Sequence, residues 1–383
     1  MNRAPDTGTS RTRRPREWLK TMAVSSFARQ SVAGHVERAM AIALVRLPPR
    51  ALRRLVGPPI RSPEGFRLDL QSQALLWMVR VRGTEIYGAD VERSRRSLDR
   101  ASRILEPRAV APLRVFDWTV PGGVGPRPAR VYVPVASPPR LGPALVWFHG
   151  GGFVLGSIDS HDGVCRALAS RSGVMVISVG YRLAPEHPFP AGLDDAIAAT
   201  RWMLEEGRSI GVDPGAVAVG GDSAGGNLAA GVAQALRGAT RRPAFQFLVY
   251  PATDATRSQA SHRHFADGFL LTEDNIVWFL DQYVPQGRFM TDARVSPLLA
   301  SDFSGLAPAL MMVAGFDPLR DEGRLYAERM RDAGVDVETV CSEGSIHGFL
   351  NTAGALDESA RLLALGADRL RLRLGLIARA PGS

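Results

Sequence analysis

The chain has 383 residues, of which 45% are hydrophobic and 22% are charged, and its formal net charge is +9. The length suits a large core domain with an appended subdomain, and the composition excludes both a disordered and a fibrous protein. The two cysteines, Cys165 and Cys341, suggest no disulfide framework and the seven histidines are scattered, so the sequence predicts a reducing, cytoplasmic location and no bound metal.

The first third of the chain carries the positive charge. Residues 1–115 contain 23 Lys and Arg residues against 10 Asp and Glu residues, whereas the remainder is slightly acidic. This asymmetry fits an arginine-rich codon bias, since Lys20 is the only lysine, or peripheral contact with a lipid surface. Nucleic acid is not expected as a partner, because no recognition motif accompanies the charge. Residues 1–20 are polar and rich in Arg, which predicts a flexible basic tail and not a signal peptide.

Helical patterning follows and predicts an N-terminal helical cap region over residues 21–113. Apolar residues recur at helical spacing in three stretches, which are residues 33–47, 70–81 and 91–105. Prolines punctuate this region at Pro48, Pro49, Pro58 and Pro59. The longest apolar run, residues 39–45, is far below the ~20 residues that cross a bilayer, so no transmembrane helix is expected.

A second and larger domain is predicted over residues 114–383, where short apolar runs rich in Val, Ile and Phe indicate strands. These runs are residues 115–120, 130–135, 145–148, 174–179, 216–219, 245–249 and 310–313. Helical segments between the later runs are residues 161–171, 193–206, 226–236 and 321–333. The alternation predicts a mostly parallel α/β sheet with helices on both faces and an antiparallel first pair of strands. Residues 256–297 interrupt it, which predicts a cap insertion with Thr272 as a helix N-cap.

The strongest chemical signal is G-x-S-x-G at residues 221–225, between a strand run and a helix of small residues. Glycines flank the serine because a strand that turns sharply into a helix has no room for a Cβ there. Such a turn exposes Ser223 as a nucleophile at the helix N-terminus and makes the N–H of Ala224 a predicted oxyanion donor. A phosphate-cradling loop is the alternative, but neither a Walker motif nor G-x-G-x-x-G follows.

A second glycine-rich loop, His-Gly-Gly-Gly-Phe at residues 149–153, follows the strand run 145–148. Glycines there allow backbone N–H groups to approach a ligand closely, and the loop after the third strand supplies oxyanion donors in α/β-hydrolases. We therefore predict Gly151 and Gly152 as donors. His149 is predicted to hold the loop, since it lies beside the oxyanion site and not across from Ser223.

The other members of a catalytic triad are expected late in the chain, because this fold orders them Ser, then Asp or Glu, then His. Asp317 follows the last strand run, and His347 lies in a loop before the final helix. In such a triad His347 takes the proton of Ser223 while Asp317 fixes the histidine tautomer. Asp317 as a turn or capping residue is the alternative, with Asp321 or Glu322 in its place, but the strand end favours Asp317.

Five stretches together resemble the bacterial hormone-sensitive-lipase-like esterase family, also called the type IV or H-G-G-G esterases. They are residues 149–153, 181–191, 221–226, 317–323 and 347–349. The resemblance implies an α/β-hydrolase fold with an eight-stranded sheet, a helical cap, no cofactor, and short- to medium-chain acyl esters as small-molecule substrates. It supports Gly151, Gly152 and Ala224 as the oxyanion hole. It also implies that the loop at residues 181–191, with Glu186, braces the site from below.

Other readings of the same residues stay open. An amidase or acyltransferase can use this triad, because a serine acyl-enzyme forms from an amide or reacts with an alcohol. Water is the default acceptor, which favours ester hydrolysis. A ligand-binding protein without catalysis is disfavoured, since such members of the fold replace the triad histidine whereas His347 is present.

Overall fold

The structure, a computed structural model, describes residues 32–83, 88, 90–135 and 141–376. The predicted tail at residues 1–20 lies outside this part of the chain. Four helices come first: α1 (Val32–Val45), α2 (Pro49–Val56), α3 (Leu70–Arg82) and α4 (Val91–Leu105). The three predicted helical stretches are confirmed as α1, α3 and α4. α2 is missing from the predictions because prolines generally interrupt helices, whereas Pro49 occupies the first turn, where its missing N–H removes no helical hydrogen bond.

Eight strands of the described chain form one sheet. They are β1 (Leu113–Pro121), β2 (Pro126–Pro134), β3 (Gly142–Phe148), β4 (Met175–Val179), β5 (Val212–Asp222), β6 (Phe245–Val249), β7 (Ala309–Phe316) and β8 (Val337–Ile346). Their order in the sheet is β1-β2-β4-β3-β5-β6-β7-β8. β2 pairs antiparallel with β1 and β4, and the other pairs are parallel. The predicted mostly parallel sheet and its antiparallel first pair are thereby confirmed.

Helices cover both faces of the sheet, as the alternation of elements predicts. They are α5 (Asp162–Ser172), α6 (Ala191–Glu206), α7 (Ala224–Leu236), α10 (Arg320–Asp332) and α11 (Asp357–Arg373). Side chains of α6, α7 and α10 join one core cluster and those of α5 and α11 join another. Successive residues of a strand face opposite sides, so Val146 of β3 enters the first cluster and Trp147 the second.

A third cluster joins the N-terminal helices to the C-terminal end of the sheet. It contains Leu52, Leu75 and Leu105 from these helices together with Phe316 and Ile346, the last residues of β7 and β8. The N-terminal helices therefore sit over the edge of the sheet at which parallel strands end, where α/β proteins bind their ligands. None of the described helices is long and apolar enough to cross a membrane.

The segment predicted as an insertion, residues 256–297, contains α8 (Ala260–His264) and α9 (Glu273–Tyr283). Thr272 is the N-cap of α9, as predicted: its side chain accepts the N–H of Asn275, and the Asn275 side chain accepts the N–H of Thr272. This reciprocal pair of hydrogen bonds is a capping box. It fixes where α9 begins, and α9 contributes one wall of the cavity described below.

Candidate active site

A sharp turn between β5 and α7 presents the side chain of Ser223. The backbone of Ser223 has φ 54°, a left-handed conformation that a serine adopts only where its surroundings enforce it. The neighbouring glycines leave the room that this turn needs. A Cβ on Gly221 would collide with the backbone of Gly225, and a Cβ on Gly225 would collide with the carbonyl of Phe148. The flanking glycines of the motif are therefore required by sterics.

The structure brings Ser223, His347 and Asp317 into one hydrogen-bonded chain. Nε2 of His347 lies 3.0 Å from Oγ of Ser223, and Nδ1 of His347 lies 2.8 Å from Oδ2 of Asp317. Asp317 is fully buried, and its other oxygen accepts the N–H of Leu319 at 2.9 Å. The carboxylate is thus held in place, and the proton of the imidazole is directed to Nδ1, which leaves Nε2 free to accept the serine proton.

The glycine-rich loop after β3 lies beside Ser223. Gly151 and Gly152 have φ values of 121° and 60°, a region in which residues with a Cβ are strained. Among the described residues, the N–H groups of Gly151, Gly152 and Ala224 have no backbone acceptor. Both glycines and Ser223 line the same cavity. Three unused donors next to a nucleophile are suited to stabilise a negatively charged oxygen.

The cavity next to Ser223 has a volume of about 160 Å³ and mainly apolar walls. α3 and α4 form one wall, and α9 with the segment before it forms the other. The apolar lining residues are Leu75, Val79, Leu98, Ala101, Leu105, Leu270, Leu271 and Phe279. The ring of Phe279 lies against Gly152, so closely that a Cβ on Gly152 would collide with it. An uncharged, apolar group of modest size fits this space next to the nucleophile.

Comparison with known proteins gives a consistent result. A family model described as the alpha/beta hydrolase fold matches residues 145–351. A carboxylic ester hydrolase of Mycobacterium tuberculosis, LipN, is 44% identical over 297 residues, which are 75% of this chain and 78% of the relative. A carboxylesterase of the same species, NlhH, is 40% identical and matches 83% of this chain and 98% of its own.

The chain belongs to the hormone-sensitive-lipase-like esterase family of the α/β-hydrolase fold. Solved structures of similar proteins agree with this assignment. A Pyrobaculum calidifontis esterase is 40% identical with a TM-score of 0.74, and it covers 79% of this chain and 98% of its own. An ester hydrolase from the metagenome of Lake Arreo, complexed with a derivative of bipyridine phosphonate, is 43% identical with a TM-score of 0.75. It also covers 79% of this chain and 98% of its own. The predicted family and fold class are confirmed.

The esterase site also contains a buried network that the sequence analysis does not predict. Asp222, the residue before the nucleophile, accepts the N–H of Gly150 at 3.0 Å and lies 3.1 Å from Nε2 of His161. Burial disfavours the ionised carboxylate, but the neighbouring His161 and the N–H of Gly150 outweigh it and lower the pKa of Asp222. This carboxylate connects the nucleophile turn to the glycine-rich loop, so it fixes Ser223 relative to Gly151 and Gly152.

His149 has contacts that fit its predicted role in holding the loop. Its ring stacks on Tyr181 with 4.5 Å between centroids, and its Nδ1 lies 2.9 Å from the carbonyl oxygen of Gly150. The hydroxyl of Tyr181 donates to the carbonyl of His149 at 2.7 Å. Burial lowers the pKa of His149 to about 4, so the imidazole is neutral at pH 7.

Glu186, which the resemblance implies to be a brace for the site, pairs with a residue of α4. Its side chain is about half exposed, and its carboxylate pairs with Arg95 of α4 at 2.8 Å. Arg95 also donates to the carbonyl oxygens of Val154 and Ala184. Through Arg95, Glu186 is therefore connected to α4, to its own loop at Ala184 and to Val154, which follows the glycine-rich loop. That Glu186 supports the site stays a prediction. Position in a motif alone could not show the pair with Arg95, because the partner is 91 residues away.

Proposed function

We propose that this esterase hydrolyses short- to medium-chain carboxylic esters through an acyl-enzyme on Ser223. His347 acts as the general base and then as the acid that protonates the leaving alkoxide, and Asp317 orients it. The N–H groups of Gly151, Gly152 and Ala224 stabilise the oxyanion of the tetrahedral intermediate. The observation that carries the proposal is the chain of two hydrogen bonds, 3.0 Å and 2.8 Å long, from Ser223 to His347 to Asp317.

The reaction proceeds in two steps that use the same groups. First, Oγ of Ser223 attacks the ester carbonyl while His347 takes its proton, and the alcohol leaves with that proton. Then His347 takes a proton from water, the hydroxide attacks the acyl-enzyme, and Ser223 recovers its proton as the carboxylic acid leaves. No step requires a cofactor. The apolar cavity of about 160 Å³ supports acyl chains of short to medium length.

The test is hydrolysis of p-nitrophenyl esters from acetate to palmitate by the wild type and by Ser223→Ala. We expect the substitution to lower kcat by on the order of 10³-fold or more, because it removes the nucleophile. Ser209→Ala is the matched control, since Ser209 is exposed and, within the described part of the chain, its hydroxyl donates to the carbonyl of Glu206 alone. Full activity of Ser223→Ala would overturn the proposed nucleophile. Cleavage of p-nitroanilides but not of esters would identify an amidase instead.

We further propose a division of the chain into the tail at residues 1–20, a helical cap at 21–113, and a catalytic domain at 114–383 with the insertion at 256–297. The third core cluster supports a cap that packs on the sheet. Peripheral contact with lipid surfaces and a homo-oligomer are also proposals. The basic first third supports the lipid contact, and sedimentation analysis of the purified chain tests the oligomer.

A further inference from the structure

The exposed apolar side chains of the esterase are concentrated in its first described segment. Of 12 large hydrophobic residues that the described chain exposes, six lie within residues 32–83. Three of them, Val36, Met40 and Leu47, follow each other at spacings of four and seven residues and are 53%, 61% and 40% exposed. Val36 and Met40, four residues apart, lie on one side of α1, and Leu47 lies two residues after its end. We call Val36 and Met40 on α1, together with Leu47 in the turn that follows it, the apolar row.

The opposite side of α1 is firmly attached to the protein. Ala41 and Val45 are buried, and Arg38 donates to the carbonyl oxygens of Ile104 and Glu106 at the end of α4. α1 packs on α3 and α4, whose other sides line the substrate cavity. The apolar row is therefore not the side of α1 that packs on the protein.

Four arginines lie within seven residues of Leu47 in the chain. Arg46 follows α1, and α2 buries Leu52 while it exposes Arg50, Arg53 and Arg54. None of these four arginines pairs with an acidic residue of the described chain. The three acidic residues of the segment 32–83 already have partners: Glu37 pairs with Arg100, Glu64 pairs with Arg320, and Asp69 caps α3.

We propose that this surface, the α1–α2 face, docks on an anionic lipid surface. It is defined by Val36, Met40 and Leu47 together with Arg46, Arg50, Arg53 and Arg54. An apolar row beside unpaired arginines matches the interfacial region of such a bilayer: the aliphatic side chains enter between acyl chains, and the guanidinium groups bind phosphate groups. The inference rests on the lipid contact proposed above but not on the ester-hydrolysing reaction.

Charge favours an anionic lipid surface over two other occupants of the α1–α2 face, which are a second copy of the chain and residues 1–31. A second copy would bring the same four arginines against each other, which costs energy at close approach. Residues 1–31 contain seven basic and two acidic residues, so they too are repelled by the arginines of the α1–α2 face. An anionic lipid surface is attracted by the arginines and also accepts the apolar row.

The experiment measures co-sedimentation of the full chain with vesicles. Phosphatidylcholine vesicles are compared with vesicles that contain about a quarter phosphatidylglycerol, at about 0.1 M and about 0.5 M salt. We expect binding to the anionic vesicles only, weakened at high salt. Ser223→Ala should bind as well as the wild type, so that failure of the catalytic proposal and failure of the docking proposal are distinguishable. Absence of wild-type binding overturns the docking proposal.

The arginines are tested by the triple substitution Arg50→Glu, Arg53→Glu and Arg54→Glu. It should lower the vesicle partition coefficient at least tenfold, because each arginine near the surface contributes about fivefold. The matched control reverses Arg171, Arg201 and Arg208, which are exposed on other helices, and changes the net charge by the same amount. An equal loss in the control would show that only net charge matters and would overturn the proposal.

The apolar row is tested by Val36→Ser, Met40→Ser and Leu47→Ser combined. Partition should fall several-fold, whereas the control substitutions Val124→Ser, Val135→Ser and Leu141→Ser, also at exposed positions, should leave it unchanged. Circular dichroism and thermal denaturation check that each variant is folded. If the wild type self-associates through this row and binds no vesicles, the α1–α2 face is an interface between copies and the proposal fails.

A last experiment tests whether the basic tail at residues 1–20 binds the vesicles in place of the α1–α2 face. Replacement of Arg11, Arg13, Arg14 and Arg16 by Gln in the full chain should leave most of the binding intact. If this replacement abolishes vesicle binding while the α2 reversal does not, the tail and not the α1–α2 face is the anchor.

Discussion

The catalytic site and the N-terminal helices of this esterase are held in place by different kinds of interaction. Around the nucleophile, groups such as Asp317, Asp222 and His149 are buried, and each has a defined hydrogen-bond partner. α1 and α2 bury one side each and expose aliphatic side chains and arginines on the other. Buried polar groups lose much when a partner is removed, whereas exposed pairs are compensated by water. Substitutions of similar size should therefore cost far more around the nucleophile than on α1 and α2.

The largest contrast is expected from Asp317→Asn. The amide cannot hold His347 in the tautomer that accepts the serine proton, so kcat should fall on the order of 10⁴-fold. Asp321→Asn is the control, because Asp321 accepts the N–H of Ser261 and does not contact the imidazole. Its kcat should stay within about tenfold of the wild type. Steady-state hydrolysis of p-nitrophenyl butyrate measures both. Equal losses would mean that the orienting acid is misassigned.

Gly225→Ala tests whether sterics fix the nucleophile turn. The added Cβ would collide with the carbonyl of Phe148, so the free energy of unfolding should fall by about 3 kcal/mol or more. Gly238→Ala has no atom within contact distance of its new Cβ and should be neutral or slightly stabilising. Chemical denaturation of both variants checks this. A Gly225→Ala variant as stable as the wild type would show that the turn can relax.

His149→Gln should change how the free energy of unfolding depends on pH. In the folded protein the pKa of His149 is lowered to about 4, whereas an unfolded histidine has a pKa of about 6.5. Below pH 6.5 the unfolded chain therefore binds the proton first, and the folded state loses stability as pH falls towards 4. The wild type should lose on the order of 3 kcal/mol more than His149→Gln between pH 7 and pH 4. Parallel pH profiles of the two unfolding free energies would contradict a buried, neutral His149.

Glu186→Gln should have the smallest effect, since its pair with Arg95 is partly exposed. We expect a loss of no more than about 1 kcal/mol in the free energy of unfolding and an unchanged kcat. Glu205→Gln, at an exposed position on α6, is the matched control. Thermal denaturation and turnover of p-nitrophenyl butyrate measure the two effects. A large loss of activity would show that Glu186 supports the active site.

Local chemistry explains what the sequence predicts well. The turn at Ser223 and the loop at Gly151 and Gly152 each depend on glycines at fixed positions, so short motifs identify them. The order Ser, Asp, His along the chain is a property of the fold, which is why Asp317 and His347 can be selected among many acidic residues and seven histidines. The structure brings all of these residues together.

Long-range contacts explain what the sequence does not predict. Asp222 and His161 are 61 residues apart, and only the fold brings them together. β8 is an edge strand that pairs with β7 alone, and its residues from Val337 to Cys341 are only half-buried, so it has no apolar run to indicate a strand. The eighth strand is therefore expected from the family resemblance and not from the pattern of residues.

The contact between Phe279 and Gly152 also limits which segments of a related esterase could replace α9 in this chain. Phe279 belongs to α9, and Gly152 belongs to the loop after β3. A Cβ on Gly152 would push α9 away from the loop. A segment from a relative that replaces α9 would therefore have to carry a side chain that fits the same gap. The two segments have to match each other, although 126 residues lie between Gly152 and Phe279 in the chain.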